Sequence, residues 1–137
     1  MIPKDLQEKL ISLAKEAQKK SYTPYSNFPV GAALITEDGD IFTGANIENI
    51  SYGLSICGER ATIFKMVTEK GPNTKIKAIA VTTKADISCS PCGACRQVIL
   101  EFSTPNTLVI YKRGDDYTAV PIEQVLPDAF KKVVATD

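Results

Sequence analysis

The sequence predicts a single α/β domain over residues 1–137, built on a mixed five-stranded sheet. Residues 76–81 form a short, nearly continuous apolar run, which is typical of a central strand covered on both faces. A helical segment follows this run, and residues 107–111 then form another strand. A strand, a helix and a strand over this length predict a right-handed crossover, so these two strands should be parallel. A hairpin near the start of the sheet and the last two strands are each predicted to be antiparallel pairs.

The remaining elements follow from periodicity and turn chemistry. Apolar residues at helical spacing predict an amphipathic helix over residues 6–20. Residues 30–36 and 41–44 flank an Asp-Gly turn and predict a hairpin, since Asp-Gly accepts positive φ. Further helices are predicted from Cys57 to a point before Gly71 and from Cys92 onward. A last strand is predicted over residues 117–120, and one or two short helices over 121–130.

Composition excludes several classes of function. Sixteen basic residues balance 16 acidic ones, so the chain offers no broad basic field for a nucleic acid. We find no signal-peptide pattern and no apolar run of membrane-spanning length, which argues against a membrane partner. The four cysteines are interpreted as reduced thiols, and we expect a cytoplasmic protein. Histidine is absent, so any metal must be held by cysteine and acid.

Two short motifs carry the chemistry. Cys92 and Cys95 open one helix directly after Pro91, while Cys57 and Glu59 open another. The positive end of a helix dipole favours thiolate. Two helix N-termini that converge would supply three sulfurs and a nearby carboxylate, with a fourth metal position left open. Three protein ligands plus water is the pattern of catalytic zinc, whereas structural zinc sites are closed by four ligands.

Cys89 is a rival ligand, because it precedes Cys92 at the same spacing as Cys92 precedes Cys95. Pro91 disfavours helical backbone at Ser90, however. We therefore expect Cys89 to lie in the loop and leave it out of the metal set.

With Cys57-x-Glu59-Arg60 and Pro91-Cys92-x-x-Cys95 both in place, the chain closely resembles the small cytidine deaminases. The similarity runs from about residue 22 to residue 130 and includes Phe-Pro-Val-Gly-Ala-Ala at 28–33 and Asn-Ile-Glu-Asn at 46–49. The resemblance implies a three-layer α/β/α sandwich, one Zn²⁺ per subunit and a homotetramer. It implies hydrolysis of cytidine and 2′-deoxycytidine to uridine and 2′-deoxyuridine with release of ammonia, a reaction of pyrimidine salvage.

Metal and catalytic roles are assigned on the same motifs. Cys57, Cys92 and Cys95 are expected to hold zinc, and Glu59 to carry protons from the attacking water to the base and the leaving amine. Arg60 is expected to donate hydrogen bonds to a ligand sulfur and offset the charge of three thiolates. Relatives that act on nucleotides or tRNA usually present histidine at the position of Cys57, so the resemblance favours free nucleosides.

Substrate contacts are expected from six further residues. Asn46 and Glu48 should bind the ribose, because an amide and a carboxylate suit a hydroxyl that donates and accepts. The resemblance implies that Tyr52 and Phe130 contribute from neighbouring subunits. The other two are Phe28, expected against the pyrimidine or sugar, and Gly58, whose backbone N–H should meet the base carbonyl.

Two alternatives stay open at this point. The first is a deaminase of the same superfamily that acts on another cytosine nucleoside, such as blasticidin S. The second is a structural zinc or thiol-redox module without catalysis, which would need a fourth protein ligand or an exposed Cys-x-x-Cys free of metal.

Overall fold

A computed structural model describes residues 2–131 and contains one mixed sheet with strand order β2-β1-β3-β4-β5. β3 and β4 are parallel, and the other three neighbouring pairs are antiparallel. The predicted fold class is therefore confirmed. The strands are β1 (Val30–Thr36), β2 (Ile41–Ala45), β3 (Ile76–Thr83), β4 (Ser103–Arg113) and β5 (Asp116–Pro121); the helices are α1 (Lys4–Gln18), α2 (Gly58–Lys70), α3 (Gly93–Glu101) and α4 (Ile122–Val125).

Helices cover both faces of this sheet, which makes three layers. α1 packs alone on one face, where its Leu10 and Ala14 meet small strand residues such as Ala33 and Ala80. α2, α3 and α4 pack on the other face around larger side chains, Ile79 among them. β1 and β3 are buried along nearly their whole length, because both of their faces are covered. This explains the continuous apolar run that predicted a central strand.

Two glycines allow helices to approach the sheet closely. A Cβ built on Gly31 would lie 2.0 Å from the carbonyl oxygen of Ala14, in the backbone of α1. A Cβ on Gly44 would lie 2.5 Å from the hydroxyl of Thr62, in α2 on the opposite face. Neither position has room for a side chain. A larger residue there would displace the backbone or force neighbouring side chains off their rotamers. These glycines set the spacing of the three layers.

The largest departure from the sequence prediction is the length of β4. This strand begins at Ser103, four residues before the predicted start, and Ser103 pairs with Ile76 of β3. The register then shifts before Ala78, and Thr107 Oγ1 donates to the carbonyl oxygen of Ile76 across the irregular step. Proline and polar residues between 104 and 106 concealed this part of the strand, because such residues are depleted in regular strands.

The C-terminal helical segment is also shorter than the sequence allowed. One helix, α4, ends at Val125, and the chain continues through a turn to Phe130. None of the helices between residues 2 and 131 is both long and apolar enough to span a bilayer.

Candidate active site

Two helix N-termini meet on the α2–α3 side of the sheet. Cys57 is the N-cap of α2 and Cys92 the N-cap of α3, and both have extended backbone. Cys95 lies in the first turn of α3 and is fully buried, whereas Cys92 is exposed. From sequence, the helical spacing of Cys92 and Cys95 with Val98 and Ile99 predicts that both sulfurs lie on the buried helix face. That expectation was wrong for Cys92, because a cap residue stands outside the helical spiral.

The three sulfurs form a compact cluster. The Sγ atoms of Cys57, Cys92 and Cys95 all lie within 4.8 Å of one another, and those of Cys57 and Cys92 are 3.9 Å apart. Ligand sulfurs about 2.3 Å from a tetrahedral zinc would be separated by about 3.8 Å. The cluster therefore fits a zinc ion with little rearrangement. Cys89 is not part of this cluster.

Arg60 approaches the cluster from the first turn of α2. Its Nη2 donates to the sulfur of Cys57 across 3.4 Å. Its Nε is buried and forms no hydrogen bond with any other described residue. A buried donor without a partner is costly, so this N–H is also suited to a negatively charged acceptor. The guanidinium can thus offset charge on the sulfurs.

The thiols of Cys57 and Cys95 are electrostatically linked. A hydrogen bond from the Cys95 thiol, together with Arg60, lowers the pKa of Cys57 to about 5. The same hydrogen bond and burial raise the pKa of Cys95 far above its usual range. Cys57 is therefore the first of the two thiols to ionise. A divalent metal would favour the thiolate form of every ligand.

Glu59 is a buried carboxyl next to the cluster, only 3% exposed. Burial raises its pKa to about 7, with a smaller contribution from the negative charge at Cys57. A group that titrates near neutral pH can both accept and return a proton. Glu59 therefore has the chemistry of a proton carrier.

Glu59 and the cluster open into a cavity of about 250 Å³. Among the predicted residues, Asn46, Glu48, Cys57, Glu59 and Cys92 line it. Cys95 and Arg60 are not among the lining residues. The other lining residues are Val30, Ser55, Ile56, Val81, Thr83, Cys89 and Ser90.

Four predicted substrate residues are not among those that line the cavity. Phe28 is half-buried, Gly58 is buried at the start of α2, and Tyr52 and Phe130 are 72% and 88% exposed. Tyr52 stacks edge-on against Tyr25, with ring centroids 5.8 Å apart. The Phe130 side chain is not packed into its own core, and its carbonyl oxygen accepts a hydrogen bond from Gln97.

Asn46 and Glu48 each bind backbone as well as facing the cavity. The Asn46 side chain accepts from the N–H of Val30 and donates to the carbonyl oxygen of Phe28. The Glu48 carboxylate accepts from the N–H groups of Tyr25 and Ser26. These contacts tie residues 25–30 to the loop that follows β2.

Sequence analysis missed the wall formed by Val81, Thr83, Cys89 and Ser90. Val81 and Thr83 stand at the carboxyl end of β3, before the crossover, and this is the usual place of sites in α/β sheets. The topological rule could therefore have found them. Cys89 is held in the loop because its N–H donates to the carbonyl oxygen of Lys112 in β4.

The wall is anchored from both sides. Asp86, in the loop after β3, accepts hydrogen bonds from Tyr117 and Lys112 and has a positive φ of 51°. On the other side, Arg96 of α3 donates to Ser90 Oγ and to the carbonyl oxygens of Pro91 and Val125. Both anchors join segments that are distant in sequence.

Comparison with protein-family models identifies the family of the chain. The model of the cytidine and deoxycytidylate deaminase zinc-binding region matches residues 4–111. The chain belongs to this family. The matched residues include Glu59 and all three cysteines of the cluster. The chain therefore has the zinc site of this family.

Individual relatives agree with this assignment. A cytidine deaminase of Sporosarcina psychrophila is 46% identical over 128 residues, covering 91% of each chain. One of Halalkalibacterium halodurans is 42% identical over 122 residues, 88% of this chain and 91% of the relative. The crystal structure of a Burkholderia pseudomallei cytidine deaminase is 44% identical, with a TM-score of 0.82 over 90% of this chain and 98% of that one. The family and the enzyme class predicted from sequence are confirmed.

Zinc content of cysteine variants tests which thiols hold the metal. We expect one zinc per chain in the wild type and in Cys89→Ser, because Cys89 lies outside the cluster. The double variant Cys92→Ser, Cys95→Ser should lose the metal, since one remaining thiolate cannot retain zinc. Elemental analysis of the purified proteins measures both. Stoichiometric zinc in the double variant, or its loss from Cys89→Ser, would contradict the assignment.

Proposed function

We propose that this chain catalyses the zinc-dependent hydrolysis of cytidine and 2′-deoxycytidine to uridine and 2′-deoxyuridine, with release of ammonia. The observation that carries the proposal is the buried carboxyl of Glu59 beside a three-thiol cluster, both open to one cavity. The cytidine deaminase family and its named relatives support the same reaction.

Each reactive group has a separate task. A zinc ion held by Cys57, Cys92 and Cys95 would supply a Lewis acid that lowers the pKa of a water for attack on C4 of the pyrimidine. Glu59 accepts a proton from the attacking water at its carboxylate and delivers it to N3. It then accepts the second proton, from the hydroxyl formed at C4, and delivers it to the leaving amine as the C4 carbonyl forms and ammonia departs. Its raised pKa suits a group that must be both base and acid near neutral pH. Arg60, through its contact with the Cys57 sulfur, offsets the negative charge of three thiolates.

Asn46 and Glu48 are the residues proposed to bind the sugar. The Asn46 amide uses one of its two N–H donors on Phe28 and keeps the other for a hydroxyl. Glu48 is an acceptor for a hydroxyl and would repel a 5′-phosphate nearby. A free nucleoside is therefore a better substrate than a nucleotide. Phe28 and the backbone N–H of Gly58 complete the proposed contacts with the sugar and the base.

A structural zinc module is less consistent with the site. Such a site would need a fourth protein ligand. The metal group found among residues 2–131 comprises three cysteines, and Cys89 is bound to β4 through its backbone instead.

Ultraviolet absorbance tests the reaction directly. The zinc-loaded wild type should convert cytidine to uridine, with the accompanying fall in absorbance. Glu59→Gln should keep its zinc and its fold but lower kcat by a factor of at least about 10² to 10⁴, because proton transfer contributes that much. Glu69→Gln, on the exposed last turn of α2, is the matched control and should behave like the wild type. Turnover in Glu59→Gln near the wild-type rate would mean that another group carries the proton.

We further propose a homotetramer with its sites at subunit boundaries. Large exposed apolar side chains in the loop that leads to the cavity-lining Ser55 support this, because monomeric proteins rarely expose such patches. Ile50 is 81% exposed and Leu54 67%, and both lie in the loop that also carries Tyr52. Phe130, still more exposed, is proposed to close the site of a neighbouring subunit.

Subunit mixing tests the proposed action of Phe130 in trans. Glu59→Ala and Phe130→Ala should each be nearly inactive alone. In a mixed oligomer, a Phe130→Ala subunit keeps its own Glu59 and can borrow an intact Phe130, so activity should partly return. A mixture of Glu59→Ala with Glu59→Gln is the control and should stay inactive. Proven subunit exchange without recovered activity would overturn the trans role.

The cellular context is a proposal of the same kind. We propose that the protein works in the cytoplasm in pyrimidine salvage and folds as one domain over residues 1–137. Its four cysteines are all free thiols, which supports a reducing compartment.

A further inference from the structure

The carboxylate of Glu48 is held by Tyr25 and Ser26, in the segment between α1 and β1. The backbone N–H of Tyr25 donates to Glu48 Oε1 across 3.0 Å, and the N–H of Ser26 donates to the same oxygen across 3.1 Å. The hydroxyl of Ser26 donates to the other oxygen, Oε2. Three donors on two adjacent residues therefore converge on one carboxylate.

These three bonds leave the Glu48 carboxylate little further capacity to accept hydrogen bonds. A carboxylate offers about four acceptor positions, so three bonds leave about one. Glu48 also lines the cavity, where that position is available to a ligand hydroxyl. The Ser26 hydroxyl, as the main cause, holds the pKa of Glu48 below its usual value. The side chain is thus kept ionised and ready to accept one more hydrogen bond.

The Ser26 hydroxyl has a second partner. It accepts a hydrogen bond from the N–H of Phe28 across 3.0 Å while it donates to Glu48. Asn27, between them, takes a positive φ of 55° and donates its N–H to the carbonyl oxygen of Thr23. One hydroxyl therefore links the carboxylate to the backbone of Phe28 within a tight turn.

We infer that Ser26 is a positioning residue that fixes the Glu48 carboxylate in the rotamer that binds the sugar of the substrate. The inference rests on the proposed function, since it assigns Glu48 to a sugar hydroxyl. Ser26 acts through Glu48, because its hydroxyl donates to that carboxylate while Ser26 itself does not line the cavity that contains Glu59. Its removal should weaken substrate binding and leave the chemical step unchanged.

A double-mutant cycle on the zinc-loaded protein tests this. The proteins are the wild type, Ser26→Ala, Glu48→Ala and the double variant, with cytidine as substrate. Ser26→Ala should raise KM about tenfold, as expected for a lost hydrogen bond to a charged group, with kcat within about twofold of the wild type. Ser26→Thr keeps the hydroxyl and should restore most of the affinity. Ser51→Ala, an exposed serine of the neighbouring loop, is the matched control.

The decisive comparison is between the double variant and Glu48→Ala. The double variant should bind cytidine no more weakly than Glu48→Ala, because Ser26 has then lost the group through which it acts. Additive losses, a parallel fall in kcat, or no rescue by threonine would show that Ser26 only supports the loop.

Failure of the Ser26 inference can be distinguished from failure of the proposed reaction. A wild type that binds cytidine without converting it would contradict the proposed reaction, and the same cycle would then be measured as Kd by calorimetry. A wild type that neither binds nor converts cytidine would overturn both proposals.

Discussion

The convergence of two helix N-termini is the constraint on which the rest of the structure depends. Serine, threonine, aspartate and asparagine are the preferred N-caps, because their oxygens bind free N–H groups. Here Cys57 and Cys92 occupy the cap positions, and neither makes a side-chain cap hydrogen bond. The helix ends give up that stabilisation, but they aim two sulfurs and two positive dipole ends at one point. Cys95 and Glu59 then reach the same point from the first turns of α3 and α2.

Close packing connects the start of α2 to the residues that line the cavity. A Cβ on Gly58 would lie 3.0 Å from the carbonyl oxygen of Val30, so the start of α2 rests directly on the start of β1. That same carbonyl oxygen accepts the N–H of Asn46. The metal cluster, the first residue of β1 and the loop after β2 therefore form one connected unit. A change that separates α2 from β1 would disturb metal binding and sugar binding together.

The sequence could predict features that depend on local spacing. Hydrophobic periodicity and turn residues predicted five strands and the main helices, and Cys-x-Glu with Pro-Cys-x-x-Cys predicted the cluster. Features that depend on distant partners could not be predicted. Glu48 accepts hydrogen bonds from Tyr25 and Ser26, which precede it by 23 and 22 positions in the chain. Arg96 donates both to Ser90 and to Val125, and Val125 follows Arg96 by 29 positions. Such bonds leave no periodic pattern in the chain.

The central claim is that the cluster holds a zinc ion with three sulfurs and leaves its fourth position to water. X-ray absorption at the zinc edge measures this directly on the purified protein. A zinc ion bound in this way should show three sulfur neighbours at about 2.3 Å and one oxygen neighbour at about 2.0 Å. Four sulfur neighbours, with Cys89 recruited as the fourth, would indicate a closed structural site and would contradict the account.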